Sequence, residues 1–242
     1  MAAVAGADHV TMSRGRAIQR GGRAVWGPIV AGRPNTVWRV LDGMDVEAAA
    51  RSLLGCRLSG YGVTVRLTEV EAYSGVGGDP ASHAFRGQTP RNAVMFGPAG
   101  VLYVYFTYGM HWCMNVVTGP VGAASAVLLR AGEVVDGADL ARSRRVARSG
   151  AAVTDRDLAR GPSRLAMALG VTGQDNGARL LDGSGDIALL SRRTAVAPDA
   201  IRIGPRVGVA VGAETPWRFW LAGEPTVSAY KKHVPRRPRA NP

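Results

Sequence analysis

Residues 101–117 read VLYVYFTYGMHWCMNVV. Valine and the aromatic residues that fill both halves favour extended backbone. The halves, 101–106 and 111–117, are separated by Thr107-Tyr108-Gly109-Met110, whose glycine admits a tight reversal of the chain. The stretch predicts a β-hairpin of two aromatic-rich strands. On it Tyr103 and Tyr105 point one way, Val104 and Phe106 the other. Tyr108 falls at the tip, where a core residue has nothing to pack against.

Working outward, Val63, Val65, Leu67 and Val70 alternate roughly with polar residues over 62–73, as a strand does. Residues 126–131 (AVLLRA) give another strand. Over 45–54, Val46, Ala49, Ala50, Leu53 and Leu54 share a helical face, with Asp45 as N-cap and Gly55 as the stop. Residues 140–147 and 162–169 predict two more helices, the second closed by Gly170. Residues 187–190, 206–211 and 217–221 predict late strands. Residues 74–98, rich in Gly, Pro, Asp and Asn, form a long irregular connection, and long ordered loops often carry function. There is no internal repeat. These elements predict one α+β domain with an antiparallel sheet.

The 242 residues are 46% apolar and 20% charged, enough to bury a core, and no stretch is apolar for the ~20 residues that a membrane span needs. Two cysteines, Cys56 and Cys113, exclude a disulfide scaffold and suit a reducing cytoplasm. No Cys/His cluster has zinc spacing. The net charge is +12, but ten of those charges sit at the ends. Residues 1–40 hold six arginines and one acid, Asp8; residues 231–242 hold five bases and no acid. This divides the chain into a flexible basic arm (1–34), a folded domain (35–230) and a basic tail (231–242). Such ends suit a polyanion, most often nucleic acid, though a solvated tail fits equally.

Three constellations carry chemistry. On a strand, Glu69, Glu71 and Tyr73 share a face, and carboxylates two residues apart stand about 6–7 Å apart. That gap could hold a water between acid and base; a solvated strand face is the alternative. Tyr108 at the hairpin tip is either solvated or inserted into a partner, and duplex DNA offers a stacking slot at every base step. For Tyr103 and Tyr105 the alternative is cross-strand packing, which Tyr103 fits better. Arg130 ends an apolar run, so it needs an anion or water network, or a structural ion pair.

The segments TEVEAY (68–73), DPASHAFRGQTPRNAVMFGPAG (79–100), LYVYFTYGMHWCMNVVT (102–118), AVLLRA (126–131), GPSRLAMALG (161–170) and RVGV (206–209) occur in this order. Over about residues 36–228 the chain resembles the alkyladenine (3-methyladenine, methylpurine) DNA glycosylase family. The resemblance implies a curved antiparallel sheet with flanking helices and a protruding hairpin, like the C-terminal domain of methionyl-tRNA formyltransferase. It implies Glu71 as general base for a water attacking the sugar C1′, with Arg130 and the carbonyl of Val207 helping to hold that water. Tyr73, His83 and Tyr105 match the walls that sandwich a flipped base, and Asn115 the residue that crowds the guanine 2-amino group. Tyr108 matches the side chain that fills the gap in the duplex; Met110, His111 and Arg91 would contact DNA beside it.

The physics agrees with those roles. A base must leave the stack to be attacked, and aromatic stacking is worth roughly 1–3 kcal/mol per base. Electron-rich rings favour a cationic methylated base. A glycosylase that also cleaves the strand needs an amine, and the only lysines are Lys231 and Lys232, in the tail. The expectation is a monofunctional, monomeric base-excision-repair hydrolase acting on damaged purines in double-stranded DNA. It would leave an abasic site, need no cofactor or metal, touch no membrane and work at the bacterial nucleoid in the cytoplasm. The competing reading is a non-catalytic nucleic-acid-binding module of related fold. A helix-hairpin-helix glycosylase is disfavoured, because no LPGVG-type hairpin is present.

Overall fold

The computed structural model describes residues 18–20, 23–25, 41–43, 45–183 and 185–234. The expected N-terminal arm lies outside the described residues except for a short antiparallel pair, β1 (Ile18–Arg20) with β2 (Arg23–Val25). The tail beyond residue 234 also lies outside them. Helix α1 (Val46–Leu53) starts where the Asp45 side chain accepts the Ala48 N–H at 2.8 Å, and it buries Val46, Ala49, Ala50 and Leu53. Strands β3 (Arg57–Gly60), β4 (Val63–Tyr73), β5 (Leu102–Thr107), β6 (His111–Thr118) and β7 (Ser125–Asp136) follow. Helices α2 (Ala138–Ser149) and α3 (Pro162–Leu169) come next, then β8 (Ile187–Leu190), β9 (Ile201–Gly204) and β10 (Arg218–Leu221). Proline opens α3, and left-handed Gly150 and Gly170 close α2 and α3.

Strands β3–β10 form one curled antiparallel sheet in the order β5-β6-β7-β4-β10-β9, with β3 branching from β4 and β8 pairing with β3. One edge of β4 is shared: its first half pairs with β3 and Glu69–Glu71 pairs with β10. Helices α1 and α3 pack on the face lined by Val63, Val65, Leu67, Val70 and Ala72. The other face of β5–β7 carries a second apolar cluster of Tyr103, Val117 and Ala126, onto which Ala84 and Met95 of the 74–98 connection pack.

The long ladder between β4 and β7 is interrupted where it matters. Leu67 pairs with Gly132, Glu69 with Ala131 and Val70 with Leu129, so Thr68 and Arg130 have no partner in the register. Before the irregularity, Val63, Val65 and Leu67 face the core; after it, Val70 and Ala72 do. The alternation inverts, and Glu69, Glu71 and Tyr73 are delivered to the opposite face. Irregularities of this kind re-aim side chains beside active sites.

Two expectations need correction. Residues 206–211 are a loop rather than a strand, because Gly208 takes a left-handed φ of +71° and Arg206 turns inward to a buried ion pair. Strand β9 lies instead at Ile201–Gly204, and β3 also forms where the sequence reading placed no strand.

Gly132 permits the close approach of β4 and β7. A Cβ there would lie 2.3 Å from Val65 Cγ1 and 2.5 Å from the Arg66 carbonyl oxygen. Overpacking of this kind costs about 1–3 kcal/mol. Gly132→Ala should therefore lower Tm by several degrees, at about 2–4 °C per kcal/mol in a chain of this size. Thermal denaturation followed by circular dichroism checks this.

Candidate active site

Two carboxylates and two guanidiniums are buried together on the inverted stretch of β4. Glu69 is the structural centre. Its Oε1 accepts from Arg130 Nε, Arg218 Nε and Ser228 Oγ, each at 2.8 Å, and its Oε2 accepts from Ser228 N–H at 2.6 Å. Glu71, equally buried, is held differently. Its Oε1 accepts from Val207 N–H at 2.7 Å, and its Oε2 accepts from the Tyr73 hydroxyl at 2.9 Å. Arg130 Nη1 faces Glu71 Oε2 at 3.3 Å. Burial works against the Arg130 charge, but Glu71 and Glu69 outweigh it and hold its pKa above the ordinary arginine value. Both carboxylates are buried and bridged by the Arg130 guanidinium, so neither stands on a solvated strand face.

Beside this cluster lies a cavity of about 300 Å³ lined by Tyr73, His83, Tyr105 and Asn115, with Met95 and residues 208–211 completing the wall. His83 and Tyr105 meet edge to face at 4.6 Å between ring centroids, and Asn115 Nδ2 donates to the Tyr103 carbonyl at 3.2 Å. The 74–98 connection brings His83 here through Asn92, which donates to the carbonyls of His83 (2.8 Å) and Gly87 (3.0 Å). Burial pushes the Tyr73 hydroxyl well above its usual pKa, reinforced by the Glu71 carboxylate. Tyr73 thus keeps the proton it donates to Glu71. One side of His83 is exposed, yet the loss of hydration on its other side, and then Arg91, lower its pKa and leave the ring neutral at neutral pH.

The hairpin of β5 and β6 projects from the cavity's edge. Tyr108 and Gly109 both take positive φ, +51° and +66°, and Met110 N–H closes the turn on the Thr107 carbonyl at 3.1 Å. Paired positive φ values match the twist of a hairpin. They leave Tyr108 76% exposed. Met110 is exposed beside it, His111 is half-buried, and Arg91 Nη2 donates to the Phe106 carbonyl at 3.3 Å.

Glu71, Arg130, Val207, Tyr73, His83, Tyr105 and Asn115 therefore gather at one place, while Tyr108, Met110 and His111 lie at the hairpin tip and Arg91 reaches the hairpin from the 74–98 connection. Sequence reasoning missed Arg206 and Asp79. Arg206 donates from both Nη atoms to the Asp79 carboxylate (2.5 and 2.9 Å) and also to the carbonyls of Ala72 and Gly212. Its guanidinium lies 4.7 Å from the centre of the Tyr73 ring. It also missed Arg218, whose only signal was a charge within the apolar run RFWL.

A slot walled by tyrosine and histidine rings suits a flat heteroaromatic group, and one of those walls, Tyr73, is hydrogen-bonded to the buried Glu71 carboxylate. The chain belongs to the methylpurine-DNA glycosylase family, whose model matches residues 41–225. Proteins named "Putative 3-methyladenine DNA glycosylase" in Frankia casuarinae, Streptomyces avermitilis and Mycobacterium tuberculosis are 52, 55 and 50% identical to it over 211, 185 and 193 residues. These alignments span 82, 73 and 78% of this chain and 96, 81 and 91% of those relatives. Among the described residues, no helix is long and apolar enough to cross a membrane.

Because the folded chain lowers the pKa of His83 from 6.5, the unfolded chain binds a proton there first as pH falls. The stability contributed by the neutral ring is complete above pH 6.5 and is lost below it. Between about pH 7.5 and 5.5, Tm should therefore fall less in His83→Gln than in the parent, as thermal melts at the two pH values would show.

Proposed function

We propose that this chain is a monofunctional DNA glycosylase of base excision repair that acts on alkylated or deaminated purines of the 3-methyladenine type. The observation that carries the reading is the buried Glu71 carboxylate, held by Val207, Arg130 and Tyr73, the last of which lines the aromatic cavity. The damaged nucleotide leaves the duplex and its base enters the cavity between Tyr73, His83 and Tyr105. Asn115 opposes a guanine 2-amino group. Tyr108 occupies the vacated position in the stack, with Met110, His111 and Arg91 against the DNA beside it.

Glu71 takes a proton from a water as the water oxygen bonds to C1′. The N-glycosidic bond breaks, its electron pair leaves with the base, and an abasic site remains. The neutral His83 and the electron-rich tyrosine rings favour a cationic methylated base. Such a base is already a good leaving group, so general-base assistance from one carboxylate suffices. The protein works as a monomer on double-stranded DNA, at the nucleoid of a bacterial cytoplasm, without a metal or organic cofactor. The two lysines are not used for Schiff-base chemistry, so borohydride should trap no covalent complex.

Glu71→Gln should lower single-turnover excision of a methylated purine by at least ~10²-fold, the scale of general-base catalysis, while retaining affinity for the lesion duplex. Excision kinetics beside a binding titration check this. Near-parental excision by the variant would remove Glu71 from the role. A parent chain that binds but releases no base would favour a binding module instead.

Tyr108→Ala should weaken binding to lesion-containing duplex more than binding to the same strand alone, because only the duplex has a gap to fill. Fluorescence anisotropy on the two substrates measures the difference. Equal losses would reduce Tyr108 to a turn residue.

A further inference from the structure

The family match ends at residue 225, yet the chain beyond it is stitched into the centre of the molecule. Thr226 Oγ1 shares a buried hydrogen bond with Thr68 Oγ1 at 2.8 Å, at the irregularity in β4. Arg160 Nε donates to the Val227 carbonyl at 2.8 Å, and Arg218 Nη2 donates to the Ser228 carbonyl at 2.7 Å. The Ser228 N–H and hydroxyl donate to the two oxygens of Glu69. The same hydroxyl oxygen accepts from Arg130 Nη2 at 3.3 Å. Three residues later, the Lys231 carbonyl accepts the Gly208 N–H at 2.9 Å, next to the Val207 N–H that holds Glu71.

We propose that residues 226–231 form a strap that completes the catalytic site, and that Ser228 is a positioning residue acting through Arg130. The inference rests on the roles given above to Glu71 and Arg130. A guanidinium is planar and carries five N–H donors in a fixed fork. Glu69 holds Arg130 at Nε, which by itself leaves the outer nitrogens free to rock about that point. A second contact at Nη2 fixes the plane and keeps Nη1 facing Glu71. The contact has to come from a group that donates to Glu69 while accepting from Arg130, and a hydroxyl does both. Alanine at 228 would leave Nη2 without this partner. The backbone bonds from Ser228 to Glu69 and Arg218 would remain, so the strap would stay docked.

The test uses the full-length chain and a duplex bearing one methylated purine. Ser228→Ala should lower the saturating single-turnover rate by on the order of 10-fold or more, as small misplacements of catalytic groups do. Its Kd for the duplex should stay within about twofold of the parent, and its Tm within about two degrees. Ser228→Thr, which keeps the hydroxyl, should restore the rate. On an Arg130→Ala background, Ser228→Ala should produce no further loss, because the two act as one unit. An alanine variant that excises at the parental rate overturns the inference. So do a fall in rate that tracks Tm and is not restored by threonine, and a loss that multiplies with that of Arg130→Ala. If the parent excises nothing, the functional reading has failed; if it excises and only the Ser228 series is flat, this inference alone has failed.

Discussion

Glu69 holds the site together. A carboxylate with no access to water must be matched by cations and donors, since desolvation takes several kcal/mol per ion and removing one partner from such a set typically destabilises by about 3–5 kcal/mol. Here the partners come from separate segments: Arg130 from β7, Arg218 from β10 and Ser228 from the strap, with Glu69 itself on β4. Four segments are thereby pinned at one point in three dimensions. Glu71, two residues along β4, then has Arg130 beside it in a fixed direction. The neighbouring carboxylates differ in environment. Glu69 is held by two guanidiniums and Ser228, whereas Glu71 is held by a phenol, a backbone amide and one edge of a guanidinium.

A second buried ion pair shapes the cavity. Arg206 grips Asp79 at the start of the irregular connection and the Gly212 carbonyl beyond the 207–211 loop, so both segments that border the cavity are tied to one side chain. The same guanidinium packs against the Tyr73 ring and lies 5.4 Å from the Trp217 ring, whose N–H reaches Glu47 at the start of α1. The aromatic wall is thus braced from the helical layer, and Asn92 and the second apolar cluster brace the opposite side.

Much of this was readable from the chain because it depends on local pattern. The hairpin followed from β-prone residues around Thr107-Tyr108-Gly109-Met110, and α1 and α3 from apolar spacing with an Asp N-cap and a Gly stop. The inversion in β4 left only a trace in the sequence, the two-residue gap between Leu67 and Val70. Strict alternation would have sent Glu69 and Glu71 to the same face as Leu67, and only the unpaired Thr68 and Arg130 show why they are not there. Residues 206–211 have the valine content of a strand yet form a loop. Their arginine is claimed by an acid 127 residues earlier, a long-range constraint that no local window contains. The strap was illegible for the same reason, since its small polar residues are common in loops and gain meaning only from what they touch.

The tip of the hairpin places an unusual demand on its occupant. A backbone at φ +51° is one that glycine, asparagine and aspartate tolerate well and that a bulky ring does not. Folding alone would therefore choose a small residue at position 108, and a tyrosine there gives up some stability for something the folded monomer does not use. Because the turn is closed by its own hydrogen bond and Gly109 supplies the second left-handed residue, the backbone directs position 108 outward. The backbone that presents the ring is therefore set by the hairpin itself, and a contact at the tip needs no rearrangement of the loop beneath it.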